Sequence, residues 1–131
     1  MPGRTLQPPG WPRPRGYSNG MAARGEIVAV AGQVGWDERG ALVGPGFVDQ
    51  LERALANVVA VAAAGGAAPA DIVSLTIYVT DRREYMASLA AAGEAYRKIM
   101  GRHYPAMALV EVAGLLEPGA KVEIQALAVV P

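Results

Sequence analysis

Residues 47–64 carry apolar side chains at alternating steps of three and four (Val48, Leu51, Leu55, Val58, Ala62), and eight residues later 72–79 carries them at steps of two. The first spacing is one face of an α-helix, the second the two faces of a strand. A chain that switches period this way across Gly65-Gly66 and Pro69 must stack a helix against a sheet. The switch recurs: Arg82 to Met100 is helical, with Tyr85, Leu89, Ala92, Tyr96 and Ile99 on one side, and Gly101 ends it. Strands follow at 106–113 and 120–130, parted by Glu117-Pro118-Gly119.

Ahead of the first helix, Tyr17 begins a short extended piece, and the almost continuously apolar 27–34 reads as a strand buried on both faces. Residues 1–16 hold Pro2, Pro8, Pro9, Pro12 and Pro14 with three arginines, which favours an extended arm and disfavours helix or central strand. The domain is therefore expected over 17–131, in the order β-β-α-β-α-β-β. The fold class is α+β, a single mixed sheet with two helices packed on one face.

Two helices cover one side of such a sheet and leave the other. Alternation assigns Val28, Val30, Val73, Leu75, Ile77 and Val79 to the helix side, and Ile27, Ala29, Ala31, Gln33, Ile72, Ser74, Thr76 and Tyr78 to the open side. On the last two strands the uniformly apolar faces are Ala106, Ala108, Val110, Val112 and Val122, Ile124, Ala126, Ala128; the mixed faces carry Met107, Leu109, Glu111 and Glu123, Gln125, Leu127. The mixed side is too apolar for water and is expected to pack on other copies of the chain.

Composition narrows the function. With 131 residues the chain has room for one domain, and 52% hydrophobic residues against 18% charged ones fit a packed core. Twelve basic residues balance twelve acidic ones, so the net positive field that general nucleic-acid binding uses is missing. Cysteine is absent and His103 is the single histidine, which excludes disulfides, thiolate chemistry and an ordinary zinc cluster. No metal or other cofactor is implied. The amino terminus lacks the apolar run of a secretion signal and no segment has the length of a membrane span, so a cytoplasmic protein without membrane partners is expected.

Several short stretches, in order, are shared with one family: Gly16-Tyr17 and Asn19-Gly20; Ala31-Gly32-Gln33; Gln50, Leu55 and Asn57; Gly65; Asp71-Ile72-Val73; Thr76 to Asp81; Tyr104-Pro105-Ala106; Glu111-Val112-Ala113; and Lys121 to Ile124. From Tyr17 to Val130 the chain resembles the Rid family, also called YjgF. The resemblance implies a chorismate-mutase-like fold and a homotrimer with a small-molecule cleft at each subunit interface. Its enzymes hydrolyse enamines and imines of 2-amino acids, and an arginine after Pro-Ala holds the substrate carboxylate. Here that position is Met107. A charge-assisted hydrogen bond contributes about 1.5–3 kcal/mol, so its loss weakens binding of a 2-imino acid about ten- to a hundredfold.

Other positions depart too: Leu109 stands where many relatives have a cleft cysteine, Ala31 where they have a serine, and no asparagine lies near Leu89 or Ala90. What the resemblance retains is Tyr17 and Glu123. Glu123 is the candidate for orienting an attacking water, with an intersubunit hydrogen bond as its plainer role. Tyr17 is the candidate for closing the cleft, and Met107, Leu109, Ala31, Gly32 and Gln33 are the candidates for lining it. His103, at a helix-to-strand turn, reads as a surface or capping residue. The expectation is a divergent Rid-like binder of a small metabolite, a hydrolase or deaminase of imine-like compounds but not a standard 2-imino acid deaminase. The alternatives are a non-catalytic ligand-binding trimer and, less favoured by the balanced charge, a ribonuclease or translation inhibitor.

Overall fold

The computed structural model describes residues 3–131, so the first two residues of the expected arm lie outside it. Strands β1 (Arg4–Leu6) and β2 (Gly20–Ala22) pair antiparallel as a small ribbon. Strand β3 (Glu26–Gln33) leads to helix α1 (Phe47–Ala64), and a 3₁₀ turn (Pro69–Asp71) precedes β4 (Ile72–Val79). Two helices, α2 (Arg82–Ala87) and α3 (Leu89–Met100), come before β5 (Ala106–Glu111) and β6 (Val122–Val130). The main sheet has the order β3-β6-β4-β5, antiparallel except for the parallel pair β4 and β5. The architecture is the α+β fold expected, one mixed sheet with its helices on one face.

α1 forms where its pattern predicts. Its buried face is Phe47, Gln50, Leu51, Ala54, Leu55, Val58 and Ala62. Against it lie Val30, Leu75, Val79, Val122, Ile124, Ala126 and Ala128, all in one core. Gln50 is the one buried polar side chain among the described residues, and it is fully bonded. Its amide donates to the carbonyls of Gly44 (2.8 Å) and Gly119 (3.1 Å), and its oxygen accepts from the Lys121 backbone N–H (2.8 Å). It ties both loops at the ends of β3 and β6 to the helix. Asn57, two turns on, donates to the carbonyls of Val34 and Trp36, so the polar residues of α1 shared with the family are structural fasteners.

Three expectations are corrected. The helix expected over 82–100 is two helices, broken at Ser88, whose backbone leaves helical geometry (φ −113°, ψ 16°) while its hydroxyl donates to the Glu84 carbonyl. Serine competes with the helical ladder in this way, and no glycine or proline marks the break. On β4, Ile72 points into the core and Val73 does not, the reverse of strict alternation, because the register with β6 slips between Ile72 and Ser74. A one-residue bulge reverses the facing of everything beyond it.

The third correction concerns β5. Met107 pairs with Leu75 and Leu109 with Ile77, so both lie on the helix side and pack on the core; Ala106, Ala108 and Val110 take the open side. Both faces of β5 are apolar, so its own pattern could not choose, and the register with β4 decides. β6 keeps the expected facing, with Val122, Ile124, Ala126 and Ala128 buried.

Candidate functional site

The helices do not cover the sheet evenly. α1 lies over β3 and β6, whereas β5 is an edge strand on which α3 presents small residues, Ala92 and Gly93. Small side chains cannot fill the space between helix and edge strand, and a cleft of about 510 Å³ results, within the size range of small-molecule sites. Its floor is Leu51, Ile77, Met107 and Leu109; Tyr85, Leu89 and Tyr96 rise from the helices on one side. On the other side the segment Arg15 to Tyr17 runs along the β5 edge, held there because the Ser18 N–H donates to the Pro105 carbonyl (3.1 Å) and the Ser18 hydroxyl to the Tyr104 carbonyl (2.5 Å).

Tyrosine supplies the walls. Tyr96 and Tyr104 stack with centroids 5.3 Å apart, and Tyr85 stands edge-on to Phe47 at 6.2 Å. The Tyr96 hydroxyl donates to the His103 carbonyl at 2.6 Å, and burial, reinforced by Tyr104, holds it protonated well above the usual phenol range. His103 faces away from this cleft: its Nε2 lies 2.7 Å from the Ile72 carbonyl, which makes it a donor fastening the end of α3 to the start of β4. The bond goes to a strand carbonyl, so His103 joins two elements where a surface or capping residue was expected.

The candidates read from the sequence fall into two groups. Tyr17, Met107 and Leu109 share the cleft on the helix side. Glu123 pairs with Tyr78 on the opposite side, between the buried Val122 and Ile124. Gly32 sits beside it so closely that a Cβ there would overlap the Glu123 carboxylate. Ala31 is exposed on the same open side, and the Gln33 amide donates back to the Ala31 carbonyl at 3.2 Å. Glu123 has no hydrogen-bond or ion-pair partner among the described residues. Within one chain the sheet therefore separates Met107 from Glu123.

Comparison with known proteins fits this geometry. The profile described as endoribonuclease L-PSP matches residues 12–130. A solved structure of YyfB from Yersinia pestis, described as a member of the conserved Rid protein family and of unknown function, superposes with a TM-score of 0.87 at 32% identity, covering 99% of this chain and 100% of that one. The chain belongs to the Rid (YjgF) family. Among other Rid relatives, a 2-iminobutanoate/2-iminopropanoate deaminase of Dermatophagoides farinae is 28% identical over 98% of both chains. The structure of E. coli TdcF with bound serine matches with a TM-score of 0.70 at 29% identity, over 98% of this chain and 99% of that one.

The sequence reading missed much of the cleft. Tyr85, Leu89 and Tyr96 were visible only as a helical apolar stripe, and Arg15 and Arg97 were not singled out at all. One signal was available: an apolar stripe that places two tyrosines where leucine would pack better carries hydroxyl groups that need a partner or solvent.

Proposed function

We propose that this Rid-family chain assembles as a cytoplasmic homotrimer and binds a small metabolite in clefts between its subunits. There it acts on an enamine- or imine-like C–N bond, although it is not a standard 2-imino acid deaminase. The observation that carries this reading is the separation of the candidate groups. Tyr17, Met107 and Leu109 line a cleft on one side of the sheet, and Gly32 and Glu123 stand on the other. Side chains on opposite sides of one sheet can share a ligand only if they come from two copies.

The open side supports the same reading. It exposes Ile27 (71%), Leu127 (44%) and Val110 (42%) together with Ala29, Ala31 and Ala108, an apolar surface suited to burial against another subunit. In that assembly one subunit supplies the apolar cleft and its neighbour the Glu123 carboxylate, which orients water for attack on the C–N carbon. A purely ligand-binding trimer is the second reading, and Met107 favours it, because a thioether cannot hold a carboxylate as an arginine does.

The test is ammonia release from freshly generated short-chain 2-imino acids by the native chain, Met107→Arg and Glu123→Gln, each with its mass in solution measured. The expected result is a trimer with slow native turnover that Glu123→Gln abolishes and Met107→Arg raises at least tenfold. Absence of native turnover from an intact trimer would select the binding-only reading, and a monomer would overturn the shared cleft.

A further inference from the structure

Position 107 is not the only place from which this cleft can hold an anion. Arg97 on α3 and Arg15 on the arm both line it, and within the same chain no aspartate or glutamate does. Arg97 has no carboxylate partner among the described residues; the ion pairs are Arg53 with Glu38, Lys98 with Glu52 and Lys121 with Glu84. An adjoining depression shares Gly16, Tyr17 and Tyr104 with the cleft and adds Arg13 and Arg102, again with no acidic residue. Four of the twelve basic side chains of an overall neutral protein thus line these two adjoining depressions, two in each.

Two features bear on how these arginines are placed. The arm carrying Arg13 and Arg15 is fixed by Gln7, whose amide donates to the carbonyls of Trp11 and Pro12 at 3.2 Å and whose oxygen accepts from Asn19 at 2.7 Å. On α3, Gly93 occupies a mid-helix position where glycine is less favourable than alanine by about 1 kcal/mol, yet its backbone is ordinary helix. What the missing side chain provides is room: a Cβ there would lie 3.2 Å from Nη1 of Arg97. A Cβ would press on the tip of this flexible side chain, which lies along the helix beside Gly93.

We propose that the cleft takes a monocarboxylate with a bulky apolar body, bound carboxylate-outward: Arg97, assisted by Arg15, holds the carboxylate at the rim, and Met107 and Leu109 receive the apolar end. The proposal rests on the cleft being a small-molecule site and adds the ligand's class and orientation. Exchange of arginine for methionine at the floor and a free arginine at the rim are then two halves of one change. Arginine suits the role because its planar fork meets a carboxylate with two parallel hydrogen bonds, which lysine cannot reproduce.

Calorimetric titration of the assembled protein with phenylpyruvate, pyruvate and phenylacetamide tests it. The native protein is expected to bind phenylpyruvate at least tenfold more tightly than either of the others, one lacking the apolar body and the other the charge. Arg97→Gln should weaken phenylpyruvate about ten- to a hundredfold, the range for a charge-assisted bond, with Arg97→Lys intermediate. If phenylpyruvate binds and Arg97→Gln leaves its Kd unchanged, the rim anchor is wrong and the cleft survives as a site. If no probe binds the native protein, the anchor and the cleft reading both fall.

Discussion

The sheet is sealed under α1 and open under α3, although each is an amphipathic helix on the same surface. Beneath α1, Leu55, Val58, Ile72, Leu75 and Ile124 are at most 1% exposed, and Gln50 is buried with every polar atom partnered. Beneath α3, Leu89 is 48% exposed and Met107 and Leu109 are half-buried around a cavity. The helices differ in what they point inward: leucine and valine in α1, alanine, glycine and tyrosine in α3. The first set fills space and stabilises; the second leaves space edged by polar tips. Stability is concentrated in one half of the layer, and the other half is left free to bind.

The sharpest way to break that contrast is a matched pair of truncations. Leu55→Ala should cost about 2–5 kcal/mol, because a fully buried leucine leaves a cavity that the surrounding core cannot fill. Met107→Ala should cost roughly 1 kcal/mol, since its neighbourhood is already partly open to water. Urea denaturation of both variants measures the difference. Equal losses would mean that the cleft wall contributes to the core as fully as the sealed side, and the division into two halves would fail.

Gln50→Leu probes the sealed side from within. The substitution keeps the volume but leaves the carbonyls of Gly44 and Gly119 and the N–H of Lys121 without their partner. Stranding buried backbone groups costs about 1–3 kcal/mol each when water cannot reach them, so a loss of about 2 kcal/mol or more is expected despite the gain in hydrophobicity. A variant as stable as the native protein would show that the two loops do not depend on the helix.

What the sequence made legible follows the same division. The ends of α1 and β4 were readable to the residue because they carry strong signals, Gly65-Gly66 for the helix and Asp71 and Asp81 for the strand, although the slip between Ile72 and Ser74 breaks the strand's period. The open half was harder. The apolar stripe from Tyr85 to Ile99 runs straight through Ser88, so the break there rests on one hydroxyl that pattern reading cannot weigh. β5 has apolar residues on both faces, and its facing is set by pairing with a strand more than thirty residues distant in the chain. The grouping of Tyr17 with Met107 and Leu109 was available through family resemblance and the facing of Glu123 through alternation, but the placement of Met107 and Leu109 across the sheet from Glu123 required the register.

Asp81→Ala should produce a smaller loss on the open side. Its carboxylate caps α2 by accepting from the N–H groups of Arg83 (2.9 Å) and Glu84 (3.3 Å), and removing such a cap costs about 1 kcal/mol. Because α2 carries Tyr85 into the cleft, the loss should appear in ligand affinity as well as in unfolding. Asp81→Asn, which retains an acceptor, should restore most of both. If affinity is untouched while stability falls, Tyr85 is positioned by its contact with Phe47 and not by the helix cap.

The smallest effect belongs to the rim of the sealed half and is present at neutral pH but lost in acid. The carboxylate of Asp37 accepts from the backbone N–H groups of Ala41 (3.1 Å) and Arg39 (2.8 Å), and these bonds hold its pKa below the usual aspartate value, with the Arg53 charge a lesser contribution. A carboxyl group whose folded pKa is depressed adds stability that is fully present above its unfolded value and is lost as pH falls through the lowered folded value. The turn at 37–41 should therefore persist to lower pH than an ordinary aspartate would allow. Carbon NMR of the side-chain carboxyl groups should show Asp37 titrating below the usual aspartate range. Asp37→Ala should remove that part of the acid dependence without changing affinity at the cleft, because the turn packs beside α1 through the Arg53 to Glu38 ion pair and touches nothing under α3. A change in affinity would mean that the two halves are coupled through the sheet.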